Sequence, residues 1–135
     1  MEAFVVDASV AAGWFIPDEF NDLSTAVLRR LEAADAVVPD LFWHEMRSLL
    51  AMAARRHRIT QQDALISMRR LRELNITTLS GQEDDAILDL ANRHQLSAYD
   101  AAYLHAAIEQ KLQLATSDKQ LLAAAPKENV ILVSI

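Results

Sequence analysis

Four carboxylates stand where an α/β chain does chemistry. Asp7 directly follows the apolar run AFVV, and Asp118 comes just after LQLAT. In an open parallel sheet ligands sit beyond the carboxyl ends of the strands, which is where both acids fall. Glu45 lies four residues after Leu41 and four before Leu49, beside the apolar stripe of its segment. Asp100 precedes Tyr103, Leu104 and Ala107 by three, four and seven residues, at the top of a buried helical face. An inward carboxylate is costly unless a cation meets it. Four such groups at one end of a sheet repel one another and raise their own pKa values, unless a divalent cation neutralises them. Mg²⁺ and Mn²⁺ prefer oxygen ligands, and Mg²⁺ keeps several waters, so carboxylates suffice without His or Cys. Such an ion orients and deprotonates a water and stabilises charge on a phosphodiester during displacement. The implied chemistry is metal-dependent phosphoryl hydrolysis.

Each acid also has a structural reading. Asp7 and Asp118 both suit N-caps of following helices. Glu45 could pair with a neighbouring arginine, and Ser97 with Asp100 makes a capping box. The histidines at 44, 57, 94 and 105 have no i, i+4 partner and make no zinc pattern, so they read as surface or helix-end residues. Tyr99 and Tyr103 read as packing residues, with stacking on a base an alternative for Tyr99.

The elements that must position these acids follow from apolar spacing and turn residues. Strands are expected at Ala3–Val6, Ala36–Val38, Ile76–Leu79, Leu112–Thr116 and Val130–Val133, each a short apolar run. Helices are expected at Asp18–Ala34 and Asp40–His57, the latter with the stripe Phe42, Met46, Leu49, Leu50 and Ala53. Thr60 to Asp63 forms a capping-box pattern opening a helix to Glu73. Further helices run from Ser80 to His94, from Ser97 to Gln110 and from Asp118 to Ala124. Continuous apolar strands separated by helices imply a parallel sheet covered on both faces. The fold class is therefore α/β, an open sandwich formed by a single domain over residues 1–135.

Composition bounds the function. The chain has 135 residues, 52% hydrophobic, 24% charged, with 2 glycines, 3 prolines and no cysteine. That profile excludes disordered and collagen-like chains, and zero Cys excludes zinc ribbons, thiol catalysis and disulfide frameworks. Apolar runs fall far below the roughly 18 residues of a membrane span, and MEAFVVDASV has no basic n-region. A cytoplasmic protein without membrane contact is expected. Net charge is −6, but it is unevenly spread. Seven arginines against three acids between Leu41 and Asn75 give +4, while six basic against sixteen acidic residues elsewhere give −10. The basic middle reads either as a solvated helical face or as a seat for a phosphate backbone. Arg47, Arg55 and Arg58, roughly one helical face, are the candidates for such contacts, to RNA if the resemblance described below holds.

Four segments occur together in a familiar order: FVVDASV (Phe4–Val10), PDLFWHEMRSLL (Pro39–Leu50), LSAYDAAYLHAA (Leu96–Ala107) and LATSDKQL (Leu114–Leu121). They resemble the PIN-domain family and, more closely, the VapC-type toxins of type II toxin–antitoxin systems. The resemblance covers essentially the whole chain, with YDAAYL and LATSD its most specific parts. It implies a PIN-like three-layer α/β/α sandwich with a parallel sheet of four to five strands. It implies a Mg²⁺- or Mn²⁺-dependent endoribonuclease that leaves 5′-phosphate and 3′-hydroxyl ends. The family's acidic quartet falls on Asp7, Glu45, Asp100 and Asp118, and its supporting hydroxyls on Ser9 and Thr116. By the same resemblance Asp7, Asp100 and Asp118 hold metal, with Glu45 holding metal or positioning the water.

The family often has Asn three residues after the helix Glu; here that position is Ser48. It also implies a cognate antitoxin and a homodimer. Trp14, Phe15, Phe42 and Trp43 are candidates for either contact or for the core. Two rivals are weaker. A phosphatase or receiver-type site commonly adds a second acid beside the first, which Asp7-Ala8-Ser9 lacks. A non-catalytic PIN-like module binding RNA or protein would be marked by loss of a quartet acid, and none is lost.

Overall fold

The computed structural model describes residues 2–135. Four strands, β1 (Phe4–Val6), β2 (Ala36–Pro39), β3 (Ile76–Leu79) and β4 (Gln113–Ala115), form one parallel sheet in the order β3-β2-β1-β4. Val5 pairs with Val37 on one side and Leu114 on the other. The helices are α1 (Ala8–Ala12), α2 (Asp22–Arg30), α3 (Leu41–Arg55), α4 (Gln61–Glu73), α5 (Asp84–His94), α6 (Ala98–Gln110) and α7 (Lys119–Ala124). Successive strand side chains point to opposite faces, yet Phe4, Val5 and Val6 are all 0% exposed. Both faces of β1 are therefore covered, the condition a parallel sheet requires. The result is a three-layer α/β/α sandwich in which α6 packs on β1, β2 and β4, and α3 packs on β2.

Local signals set most boundaries. Thr60 and Asp63 exchange bonds in a complete capping box at the start of α4. The single helix expected over Asp18–Ala34 is divided. Pro17–Glu19 is a 3₁₀ turn, Phe20 is extended, and Asn21 with Ser24 builds a capping box that starts α2. Gly13 allows this corner to close, since a Cβ there would lie 2.7 Å from Ser24 Cβ. The strand expected at Val130–Val133 reduces to one parallel bridge between Leu114 and Leu132. β4 is short, and the Val130 N–H is already used to close the preceding turn on the Ala125 carbonyl. The β3 run is not buried as expected: as an edge strand it exposes Thr77 and Thr78.

Two of the four aromatic contact candidates belong to the core. Phe42 is 0% and Trp43 6% exposed. Trp43 donates its indole N–H to Thr78 Oγ1 at 2.8 Å, and the Arg72 guanidinium covers its ring at 3.9 Å. Trp14 and Phe15 are partly buried against the core. His105 is buried within α6, against the surface or helix-end expectation, with its Nε2 2.9 Å from Glu109. Among the described residues no helix is long and apolar enough to cross a membrane.

Candidate active site at the strand ends

The chain leaves β1 for β2 and β3 on one side, then returns to β4 on the other. The topological switch point therefore lies between the carboxyl ends of β1 and β4, where such sheets bind ligands. Asp7 follows β1 and Thr116 follows β4, and the Asp7 N–H extends the pairing to the Ala115 carbonyl at 3.1 Å.

Asp7 is buried, and its two carboxylate oxygens do different work. Oδ1 accepts from the Val10 N–H at 3.2 Å, capping α1, and from Ser9 Oγ at 2.6 Å. Oδ2 accepts from the Thr116 hydroxyl. Thr116 Oγ1 in turn accepts from the Asp118 N–H at 3.0 Å, and Ser117 donates to Ser9 Oγ through its N–H (3.2 Å) and its hydroxyl (3.1 Å). Hydroxyls thus stitch the two strand ends together. Asp118 caps α7 through the Leu121 N–H at 3.0 Å. The capping and site readings of Asp7 and Asp118 are compatible, because a cap uses one acceptor position of a carboxylate that has several.

Glu45, on α3, is half-buried, and its Oε1 accepts from the Tyr103 hydroxyl at 2.7 Å. No ion pair among the described residues involves Glu45, so the arginine reading fails. Tyr103 is 1% exposed on α6, one turn after Asp100, whose N–H donates to Ser97 Oγ at 3.1 Å. One helix therefore delivers both Asp100 and the donor that fixes Glu45.

Electrostatics bind the four acids into a unit. Burial pushes the Asp7 carboxyl up to about 6, against its bonds from Ser9, Thr116 and Val10, and repulsion from Asp100 adds to the rise. Glu45 is raised by burial and by Asp100, with the Tyr103 bond opposing. Asp100 is raised by burial and by Asp118, opposed by Ser97. Asp100 thus lies close enough to repel Asp7 and Glu45, and is itself repelled by Asp118. None of the four is ion-paired among the described residues. No three Asp, Glu or His side chains there close into a ready-made cage. A set of spaced, oxygen-only donors suits a hard cation that brings waters of its own.

The expected RNA-contact arginines lie on α3 and just after it. Arg47 is exposed and within 2.9 Å of His44 Nδ1, and Arg55 is exposed at the end of α3. Arg58 lies beyond that helix and forks onto Asp18 (Nε to Oδ2, 2.9 Å) and Glu19 (3.0 Å), which already balance its charge. Ser48 is exposed, one turn from Glu45. Two residues escape a reading of the sequence. Tyr103 had a signal, its spacing of three from Asp100, whereas Ser117 had only its place between Thr116 and Asp118.

The PIN domain family model matches residues 4–127. No curated protein matches the chain in sequence. Among solved structures, PAE2754 from Pyrobaculum aerophilum is 22% identical at a TM-score of 0.73, covering 90% of this chain and 84% of that one. A toxin–antitoxin complex from Klebsiella pneumoniae is 18% identical at 0.67, covering 97% and 96%. VapBC2 from Rickettsia felis, bound to a DNA fragment from its promoter, is 14% identical at 0.67, covering 98% of each chain. These likenesses extend to the fold, and the family match extends over the segments that carry all four carboxylates: the chain belongs to the PIN-domain family.

Proposed function

We propose that this chain is a metal-dependent endoribonuclease and the toxin of a type II toxin–antitoxin pair. The observation that carries the reading is the set of four carboxylates at the β1/β4 switch point, Asp100 repelling each of the other three and none having a basic partner among the described residues. Such a set is stable in function only when a cation completes it. Asp7, Asp100 and Asp118 would hold Mg²⁺ or Mn²⁺, with Glu45 as a further ligand or as the group that positions water. When bound, the ion supplies Lewis acidity toward a phosphodiester oxygen and lowers the pKa of water.

The chain's own residues do the rest. Ser9 and Thr116 hold the Asp7 carboxylate in one orientation. Tyr103 occupies Glu45 Oε1, leaving Oε2 to accept the proton of an attacking water. Water attack on phosphorus breaks the P–O3′ bond and leaves a 5′-phosphate and a 3′-hydroxyl. The basic middle of the chain, Arg47 and Arg55 included, supplies contacts to the RNA backbone. The neighbours named as toxin–antitoxin complexes favour an antitoxin as protein partner, with a homodimer and a cytoplasmic setting as parts of the same reading.

The test is incubation of total cellular RNA with the purified chain in Mg²⁺, Mn²⁺ or EDTA, beside Asp7→Asn. Discrete fragments that need metal and vanish in the variant support the reading, and sequencing their ends identifies the substrate. A clean, folded, metal-loaded and inactive chain would favour a binding module instead.

A further inference from the structure

Beside the acidic site is a cavity of about 260 Å³ whose walls differ sharply in chemistry. One wall is Ser9 and Ser117, the same hydroxyls that join the Asp7 network. Its apolar lining is Ala12 and Ile16, with Leu49 and Met52 of α3 at 36% and 38% exposure. Arg56, Arg58 and Glu19 also line it. Arg58 is held by Asp18 and Glu19, so its charge is balanced, whereas Arg56 appears in no ion pair among the described residues. Hydroxyls shared with the Asp7 network, apolar side chains and one guanidinium outside every ion pair of the described residues supply the three kinds of contact a nucleotide takes, to sugar, base and phosphate. The volume lies just under the usual range of small-molecule sites, roughly 300–1,000 Å³, as suits one base rather than a whole ligand.

We propose that this cavity is a base-binding subsite. It receives the ribonucleoside flanking the scissile phosphodiester, with its base on Leu49 and Met52 and its outer phosphate on Arg56. The proposal rests on the nuclease reading and adds a place where sequence or base size is sensed. Burial of a base against aliphatic side chains tolerates every base, and the cavity's size favours some over others. Arg56 then fixes the register of the strand through a charge-assisted bond that a point charge matches less well.

The test uses protein labelled at its methionine methyl groups, titrated in EDTA with the dinucleotides pApA and pUpU while the methyl resonances are followed by NMR. A base seated on Met52 shifts that methyl upfield by its ring current. Met46, at 0% exposure, and Met68, in the groove between α3 and α4, stay in place. Arg56→Ala weakens the titration roughly tenfold, the loss of one charge-assisted bond, and Arg56→Lys restores part of it. In active protein, Leu49→Gln flattens any base preference at one position beside the cut. A Met52 methyl that does not move at saturating dinucleotide, or a response at Met68 instead, overturns the subsite. Cleavage of RNA by the wild type with Met52 silent removes the subsite and keeps the nuclease. A Met52 response in a chain that cuts no RNA keeps the subsite and removes the nuclease.

Discussion

Asp7→Asn should make the metal-free protein more stable at neutral pH while abolishing any activity. The Asp7 carboxyl is raised by burial from its ordinary 3.8 to about 6. The folded state therefore binds this proton more tightly than the unfolded chain does. Ionising it lowers stability as pH climbs from about 4 to about 6, and the whole loss is present above that window. At about 1.4 kcal/mol per tenfold change in proton affinity, the loss is about 3 kcal/mol at pH 7.5. Asparagine carries no charge and keeps an acceptor for the Val10 N–H and Ser9. Its amide meets Thr116 Oγ1, which already accepts from the Asp118 N–H, so about 1 kcal/mol of hydrogen bonding is lost. The net gain is about 2 kcal/mol, or roughly 8 °C in Tm for a domain of this size. At pH 4.5 the carboxyl is protonated in the folded state, the ionisation loss shrinks to about 1 kcal/mol, and the two proteins should melt together. Paired melts in EDTA at pH 7.5 and 4.5 decide the matter. A variant whose advantage over wild type is the same at both pH values would refute the reasoning, because a pH-independent gain cannot come from a buried charge.

Tyr103→Phe deprives Glu45 of its only hydrogen bond on the side chain, so the Glu45 pKa rises further and the acidic limb of a pH–rate profile moves to higher pH, with stability falling by about 1 kcal/mol. Arg55→Ala should reduce the slope of log affinity against log salt for RNA by roughly 1, whereas Arg58→Gln should leave it unchanged, since Asp18 and Glu19 already neutralise Arg58; a filter-binding series at several salt concentrations separates the two. Gly13→Ala drives a methyl to within 2.7 Å of Ser24 Cβ and 2.9 Å of the Glu19 carbonyl, and urea unfolding should show a loss of about 1–3 kcal/mol. Trp43→Phe forfeits the bond to Thr78 and much of the stacking with Arg72, about 1–2 kcal/mol by the same measurement.

The architecture was legible in the chain because its elements speak locally. AFVV, the α3 stripe and the Thr60–Asp63 box each announce themselves within a few residues and form where expected, except that Leu49 of the stripe lies at the surface, 36% exposed. α1 did not, because five residues cannot display a helical period; only its cap, Asp7, was visible, and that residue has two roles. The C-terminal strand failed for a different reason: its apolar run is real, but β4 is only three residues long and Val130 is committed to a turn. The four acids converge on one end of the sheet because strand-end and inward-helix positions are properties of pattern. Their partners are not. Glu45 finds Tyr103 58 residues away, and Arg58 finds Asp18 40 residues away. A count of charges along the chain cannot show that a distant pair of carboxylates meets Arg58.

The bond from Thr116 to Asp7 joins residues 109 positions apart, and β4, which lies against β1, is among the last elements made. Translation therefore sets the order of events. While a ribosome is still producing the chain, β1 can pair with β2 and β3 can follow, but the Asp7 carboxylate has no Thr116 to hold it and no Asp118 beside it. Contacts of such long sequence separation form late and slowly, since loop closure precedes any reward from pairing. A nascent or prematurely terminated polypeptide that lacks the LATSD segment has an incomplete carboxylate set, however well its first half has folded. Under the nuclease reading proposed above, the timing of synthesis is a safeguard written into the strand order, acting before any partner protein could.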